Sequence, residues 1–417
     1  MEFKRKIDNR WSFRNADTKD FTHCYHNYPA MMIPQVARTL IQEFRPDGKF
    51  ALLFDPYMGS GTSLVEASLL GINSIGTDLN SLARLMTKVK TTHYNITEIQ
   101  SAFSNIQLGL GFYSPEKVKN TDFDRISNYT FWYSKDSLLC LSYIGQLIDE
   151  LSSTCKDFFK LILSEVVREA SFTRNGEFKR FRMKEEKLKS YKPDVFKLFS
   201  TKVLRNIHGL EQFNSIDCKN IQAQIFDFNS SIEIPSDILP NDSVDMIVTS
   251  PPYGDSHTTV AYGQFSRWAN EWFGFENARN LDSILMGGQK NKVETFETES
   301  IRNILDDIRN LDEKRYFEVV SFLDDYWASI KNVSEKVREG GVICYVVGNR
   351  TVKGIQIPLD YFTAEMFEKC GFKHNITIVR EIPNKRMPAK TSPTNESGKK
   401  VSTMSNEYIV IMKKESQ

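Results

Sequence analysis

The chain is poor in the residues that build metal sites and disulfide frameworks. Its six cysteines, Cys24, Cys140, Cys155, Cys218, Cys344 and Cys370, are scattered through 417 residues without a CxxC pair or nearby paired histidines. That spacing argues against a structural zinc site and a disulfide scaffold, and it predicts reduced thiols in a core. An excess of one charge is also missing. With 54 Lys and Arg against 53 Asp and Glu, the formal net charge is +1, so any nucleic-acid contact must come from local basic clusters rather than from a uniformly basic surface. No stretch approaches the uninterrupted apolar length of a membrane span, and the opening MEFKRKIDNRW has no apolar h-region, so a cytoplasmic protein without membrane contact is expected. Internal repeats and low-complexity tracts are absent. The balance of 26% charged and 40% hydrophobic residues is ordinary for a globular chain, and the length allows one large core or two modest ones.

What is present is a series of short apolar stretches, each followed by an acidic or polar residue. Residues 50–54, 74–77, 223–226 and 244–249 read as buried strands of a parallel sheet. Segments with helical spacing, 63–70 and 79–89, lie between the first strands, which gives a β-α-β pattern with right-handed crossovers. Further on, VREGGVICYVVGN places a glycine pair at an expected helix end before another buried strand, and NEYIVIMKK reads as a final strand. The fold class that follows is α/β, a doubly wound Rossmann-like sheet. From 95 to 220 the periodicity changes to long helical runs, including SLLCLSYIGQLIDELSS and CKDFFKLILSEVVREA, so this stretch is a large helical insertion. The expected organisation is a first half of the core at 1–94, the insertion at 95–220 and the second half at 221–417. A further helical block spans 294–337, and the polar loop IPNKRMPAKTSPTNESGKKVSTM is long enough to suggest a function of its own.

The first strand runs into FDPYMGSGTS, with Gly59 and Gly61 in a tight turn before a helix. Such a turn lets the backbone approach a ligand at the carboxyl end of a strand, where open α/β sheets bind. The third glycine of the dinucleotide fingerprint is missing, with Leu64 in its place, and the next strand ends in GTDLN, which offers Asp78 to ribose hydroxyls. The combination favours a nucleoside without a pyrophosphate. Asp55, at the tip of the first strand, suits an ammonium group, although a turn carboxylate bonding backbone N–H groups reads the same way. Asp55, the glycine turn and Asp78 together fit S-adenosyl-L-methionine better than a nicotinamide cofactor. Asp227 and Phe228, ending AQIFDFN, could bond and cover an adenine ring, or simply end a strand.

The stretch VDMIVTSPPYGDS carries the chemistry. Pro251 and Pro252 have no N–H to give a sheet, so pairing must stop there, and residues before proline are biased to extended geometry. Ser250, Pro251, Pro252 and Tyr253 are therefore expected to form a stiff shelf, which faces the methyl group if S-adenosyl-L-methionine lies over the first three strand ends. The Ser250 hydroxyl and the Pro251 carbonyl can accept from an exocyclic amino group while the Tyr253 ring stacks on the base. That arrangement aims the nitrogen lone pair for direct transfer, with catalysis by orientation and electrostatics.

With these residues the chain resembles the S-adenosylmethionine-dependent DNA amino-methyltransferases that act on cytosine N4 or adenine N6. DPYMGSGT looks like their cofactor loop, TSPPY like their catalytic motif, and THCYHNYPAMMIPQVARTLI, residues 22–41, like the segment that closes over the methionine end of the cofactor. The resemblance implies cofactor contacts from Tyr28, Pro29, Asp55, Pro56, Gly59, Gly61, Thr62, Asp78, Leu79, Asp227 and Phe228. Serine in the first catalytic position is similar to the N4-cytosine enzymes, and adenine N6 is the alternative. The resemblance also implies a bacterial restriction-modification system, with double-stranded DNA as substrate and a cognate endonuclease acting on the same site. The insertion departs from the family order by preceding the Asp227 strand.

An enzyme of this kind extracts its base from the duplex and holds the opened DNA through phosphates. The stretch 174–192, RNGEFKRFRMKEEKLKSYK, interleaves basic residues with Phe178, Phe181 and Tyr191, and supplies Arg174, Lys179, Arg180 and Arg182 as candidate contacts; a solvated helix face would look similar. NKRMPAK adds Lys385 and Arg386. His257, Tyr262 and Phe265, just after the shelf, are expected to shape the base pocket, with His257 as a hydrogen-bonding residue rather than a general base. RNA or protein-glutamine methylation and a non-catalytic DNA-binding module are the competing readings. The first is disfavoured by the serine and the large insertion, the second by the intact cofactor loop.

Overall fold

The computed structural model of the chain describes residues 3–46, 51–174, 176–256, 258–289, 293–382, 390–391, 401–402 and 405–416. Eight strands form the central sheet: β1 (Arg5–Ile7), β2 (Leu52–Asp55), β3 (Asn73–Thr77), β4 (Ala223–Phe226), β5 (Val244–Thr249), β6 (Val337–Val347), β7 (Phe372–Glu381) and β8 (Asn406–Lys414). Their spatial order is β1-β7-β8-β6-β5-β2-β3-β4. Neighbours are parallel except where β8 inserts antiparallel between β6 and β7. From β2 the chain steps outward to β3 and β4, then returns on the other side of β2 as β5 and β6. The sheet is thus doubly wound and Rossmann-like, and β2 and β5 flank the point where its winding reverses, where such sheets bind ligands.

The central strands are apolar on both faces because both faces are covered. In β5, Val244 and Ile247 pack against the helix Glu313–Lys336, while Met246 and Val248 face the helix Pro34–Glu43. The helices Ile96–Gly111, Lys135–Asp149, Ser153–Glu169 and Val195–Asn214 make up most of the insertion. They do not form a separate body. Their cluster includes Tyr25, Tyr28, Leu82 and Met86 from the first half of the chain, and Phe265, Trp268 and Trp272 from the helix Tyr262–Phe273. No helix among the described residues is long and apolar enough to cross a membrane.

Three features differ from the sequence reading. The pair Gly340–Gly341 does not end a helix, since the helix stops at Lys336 and both glycines lie inside β6. There they sit in a bulge, where pairing jumps from Val244 with Val337 to Met246 with Val342. The bulge accompanies a buried Asp245, whose carboxylate accepts from the N–H groups of Ala51 and Leu52, both at 2.9 Å, and from Arg338 Nε at 2.6 Å. Strands β1 and β7 were not expected at all. The first is wholly exposed along RKI, and β7, after the buried Phe372, alternates exposed and half-buried residues to Ile376, so neither opens with the apolar run that marks a central strand. The antiparallel sense of β8 was likewise not anticipated.

A side chain at Gly341 would meet backbone. A Cβ there lies 2.8 Å from the Arg338 carbonyl and 3.1 Å from that of Asp245. Gly341→Ala is therefore expected to destabilise the fold by about 1–3 kcal/mol, read as a lower midpoint in chemical denaturation; an unchanged midpoint would mean the bulge relaxes freely.

Candidate active site

The carboxyl ends of β2, β3, β4 and β5 open into a cleft of about 930 Å³ that communicates with solvent. One wall is the turn after β2. Pro56, Tyr57, Met58, Gly59, Ser60, Thr62 and Ser63 line it, and the helix Thr62–Leu69 begins behind it. Gly61 does not reach the cavity. It caps this helix at φ +76°, and a Cβ there would lie 2.6 Å from Thr87 Oγ1, so glycine is needed for the backbone conformation and for the close approach alike. Thr87 Oγ1 in turn donates to the Gly59 carbonyl at 3.2 Å.

Two carboxyls face the cleft. Asp55 accepts from the Tyr57 N–H at 3.1 Å and from Thr249 Oγ1 at 2.5 Å. Asp78 accepts from the N–H groups of Gly59 at 3.0 Å and Asn80 at 2.7 Å. Burial raises each from the usual aspartate range to about 6. Asp55 thus bonds the turn, as a turn carboxylate does, and also lines the cavity. Leu79 and Asn80 extend this wall, and Phe228, Asn229, Ser230 and Ser231 follow β4. Asp227 is exposed and stands off the cavity wall, because alternation along the extended chain turns it away from its neighbour Phe228.

The segment 28–32 forms the roof of the cleft. Tyr28 and Pro29 both line it, with Ala30, Met31 and Met32. The buried Tyr28 hydroxyl accepts from Asn80 Nδ2 at 2.9 Å, and its ring stacks on Tyr262 at 5.8 Å between centroids. Behind the roof, Glu66 of the helix Thr62–Leu69 accepts from Arg38 Nε at 2.7 Å and bonds His23 Nε2 at 2.8 Å. Burial works to raise the Glu66 carboxyl, but these two partners outweigh it and hold it below its usual range. Burial also keeps His23 neutral, lowering it to about 4.

β5 ends at Thr249, and no strand pairing continues through the prolines. Ser250 and Pro252 face the cleft; Pro251 is buried behind them. Tyr253 is half-buried and off the wall, with its hydroxyl 3.1 Å from Ser250 Oγ and donating to Glu407 Oε1 at 3.1 Å. Tyr262, Leu285 and Met286 complete the cavity near the shelf. Phe265 packs edge-on against Tyr28 rather than lining the cavity.

The basic stretch is tied to aromatic rings. Arg180 lies 4.7 Å over Trp268, Arg182 lies 4.1 Å over Phe131, and Arg174 pairs with Glu177 at 2.9 Å. Lys179 is half-buried, while Phe178 and Phe181 are exposed. The Phe178 ring meets Phe265, so the stretch is two ring contacts from the cleft wall at Tyr28 and three from Tyr262. Lys385, Arg386 and His257 lie outside the described residues. Among the described residues no cluster of His, Cys, Asp or Glu is arranged to hold a metal ion.

Lys90 is a site residue that the sequence reading passed over. KVKTT reads as the outer face of a helix, yet Lys90 is 2% exposed and donates to the Ser60 carbonyl at 2.7 Å from beneath the turn. Burial lowers its ammonium to about 7. Only the packing of the helix Ser81–Thr91 under the turn reveals it.

The raised Asp55 carboxyl sets a sign that can be measured. Its folded value near 6 exceeds the ordinary aspartate value of 3.8, so its stabilising contribution is complete below about pH 4 and is lost as pH rises through 6. The loss amounts to something on the order of 2–3 kcal/mol. Asp55→Asn is expected to stabilise the ligand-free protein at pH 8 and to lose most of that advantage as pH falls from 6 to 4, in denaturant titrations at pH 8, 6 and 4; a difference independent of pH would refute the assignment.

Comparison with known proteins places these features in a family, although no family model matches the chain. The chain is 38% identical over 434 residues to the Type II methyltransferase M.MvaI of Kocuria varians, covering 96% of this chain and 93% of the relative. It is 23% identical over 437 residues to the Type II methyltransferase M.BsoBI of Geobacillus stearothermophilus, covering 89% and 82%. A solved rRNA methyltransferase, aviRa of Streptomyces viridochromogenes, aligns with 93% of this chain and 88% of its own at 10% identity and a TM-score of 0.34, too loose a likeness to bear on the substrate. The extent and level of the first match mean that this chain belongs to the type II methyltransferases, the DNA methyltransferases of restriction-modification systems, which use S-adenosyl-L-methionine.

Proposed function

We propose that the protein methylates the exocyclic N4 amino group of cytosine at a specific site in duplex DNA, protecting that site from a cognate endonuclease. The observation that carries this reading is Ser250 on the cleft wall, one residue beyond the strand whose Thr249 bonds Asp55. The chemistry of the cleft fits S-adenosyl-L-methionine. Buried Asp55 suits its α-ammonium, Asp78 its ribose hydroxyls, and the half-buried Phe228 its adenine face. Bound there, the cofactor supplies an electrophilic methyl group. Roof residues Tyr28 and Pro29 would exclude water from it.

The chain's own residues act on the target base. Ser250 Oγ and the Pro251 carbonyl accept the amino protons, which turns the nitrogen lone pair toward the cofactor. Tyr262 lines the cleft beside the shelf, and the Tyr253 ring, just off the cavity wall, is assigned to stacking on the flipped base. The fixed dipoles of the shelf stabilise the charge that develops on nitrogen, whose extra proton leaves after transfer. Arg174, Lys179, Arg180 and Arg182, with the exposed Phe178, are assigned to the DNA side. The anchoring of Arg180 and Arg182 to tryptophan and phenylalanine rings supports a rigid binding edge rather than a set of loose cations.

The direct test is incubation with S-adenosyl-L-methionine and unmethylated genomic DNA, followed by nucleoside mass spectrometry. N4-methylcytosine is the expected product; N6-methyladenine keeps the site and moves the target base, and label in RNA or protein alone overturns the DNA reading. Tyr253→Ala is expected to lose methylation while retaining cofactor binding, and Asp78→Ala to weaken the cofactor by about tenfold or more, equivalent to one lost charge-assisted hydrogen bond. Normal turnover of Tyr253→Ala would remove the shelf from the mechanism.

A further inference from the structure

The catalytic reading gives Ser250 one task, to accept a proton of the target amino group, yet a hydroxyl can donate as readily as it accepts. A serine that points its own proton at the amino group repels it. Something has to fix which way the hydroxyl faces.

The structure provides a chain of bonds that does so. Ser250 Oγ is 3.1 Å from Tyr253 Oη, and Tyr253 Oη is 3.1 Å from Glu407 Oε1. Glu407 is the second residue of β8 and lies directly opposite Arg380 of β7. Its other carboxylate oxygen is held by Arg380 Nη1. The Arg380 guanidinium is 5% exposed and the Glu407 side chain 19%, so this is a nearly buried pair, anchored further by Arg380 Nε donating to the Trp11 carbonyl at 2.9 Å.

The direction of the chain follows from its end. A carboxylate has no proton to give, so the tyrosine must donate to Glu407. With its only proton committed, Tyr253 Oη can meet Ser250 solely as an acceptor, and the serine proton is drawn to it. Ser250 Oγ is then left with lone pairs alone toward the cleft. Burial, followed by the nearby Glu407 charge, holds the Tyr253 phenol well above its usual value, so it keeps the proton this requires.

We propose that Glu407, balanced by Arg380, is a positioning residue that polarises the Tyr253–Ser250 pair and makes Ser250 an obligate acceptor for the target amino group. This rests on the reading of Ser250 as the catalytic acceptor. It assigns the tyrosine hydroxyl a role separate from stacking of its ring.

The test is a double-mutant cycle on the full chain with Glu407→Gln, Tyr253→Phe and the pair, alongside Ser250→Ala. Turnover at saturating DNA and the dissociation constant of S-adenosyl-L-methionine are both read. The glutamine can offer an N–H to the tyrosine oxygen and so lets the chain reverse, while phenylalanine keeps the ring and removes the relay. Each single variant is expected to lower kcat by about ten- to a hundredfold, the scale of one lost catalytic hydrogen bond, with cofactor affinity unchanged. The double variant should be no slower than the slower single one, because both break the same chain. A general structural role for Glu407 would instead lower cofactor affinity as well and multiply with Tyr253→Phe. That outcome, or wild-type turnover by Glu407→Gln, overturns the proposal while leaving the shelf intact. Wild-type turnover by Ser250→Ala overturns the catalytic reading beneath it. If Glu407→Gln fails to fold, Tyr253→Phe with an unaltered kcat suffices to refute the relay.

Discussion

The bond between Thr249 and Asp55, at 2.5 Å, is the contact on which the site is built. It joins the ends of β5 and β2, the two strands between which the winding of the sheet reverses. One of these strands continues as the glycine turn, the other as the proline shelf. The same Asp55 oxygen accepts from the Tyr57 N–H at 3.1 Å, so turn and shelf are referred to a single atom. Two further contacts hold the turn from below, Lys90 on the Ser60 carbonyl and Thr87 on that of Gly59. The position of the shelf relative to the turn is thus set before any ligand arrives. Burying Asp55 and Asp78 opposes their ionisation, and a cation or hydroxyl donor entering the cleft offsets that cost. This is the expected arrangement where a site is preorganised for its ligand.

The insertion is bound into the same framework. Asn80 caps the helix Ser81–Thr91 through the Leu82 N–H at 3.2 Å, and its amide reaches Tyr28 in the roof and Ser266 at 2.7 Å. Asn270 donates back to Asn80 at 3.2 Å. The helix that carries Ser266 and Asn270 also carries Trp268, which is fully buried and donates to Thr173 at 3.1 Å at the base of the basic stretch. Cleft roof, strand end and candidate DNA edge therefore meet on one helix. A shift at the DNA edge would be carried by packed rings and amides rather than by a loose linker.

Much of this was legible in the sequence because a few residue types have few uses. Two prolines after an apolar run can only end a strand, and β5 stops where VDMIVTSPPY says it should. The GxG turn, the acidic strand ends and NEYIVIMKK were equally plain, and the helical period of 95–220 marked the insertion. Other features failed for physical reasons. β1 and the start of β7 are edge or near-edge strands with polar side chains, which look like loops. Gly340 and Gly341 read as a helix stop, since a bulge and a C-cap call on the same backbone freedom. Asp227 and Phe228 could not be sorted by spacing, because adjacent residues on an extended chain face opposite ways and the sequence does not say which faces in. Lys90 and Glu407 carry no motif that would single them out; only tertiary packing shows that one supports the turn and the other meets Tyr253.

The sense of β8 explains how Glu407 comes to be there. In a parallel strand the residues at the carboxyl edge are the last ones, which for NEYIVIMKK would bring lysines to the shelf. Because β8 runs against its neighbours, pairing Tyr408 with Val347 of β6 and with Val379 of β7, its first residues arrive at the edge where β2 and β5 end. Lys414 is carried to the opposite edge, where it donates to the Val337 carbonyl at 2.6 Å and to that of Ser334 at 3.1 Å. The one strand that departs from the parallel pattern thus sorts its charges by direction. Its carboxylate goes to the tyrosine of the shelf, and its ammonium goes to the carbonyls at the join between the helix Glu313–Lys336 and β6. Reversing the strand would exchange these charges and leave a cation beside the Tyr253 oxygen, where an acceptor is needed.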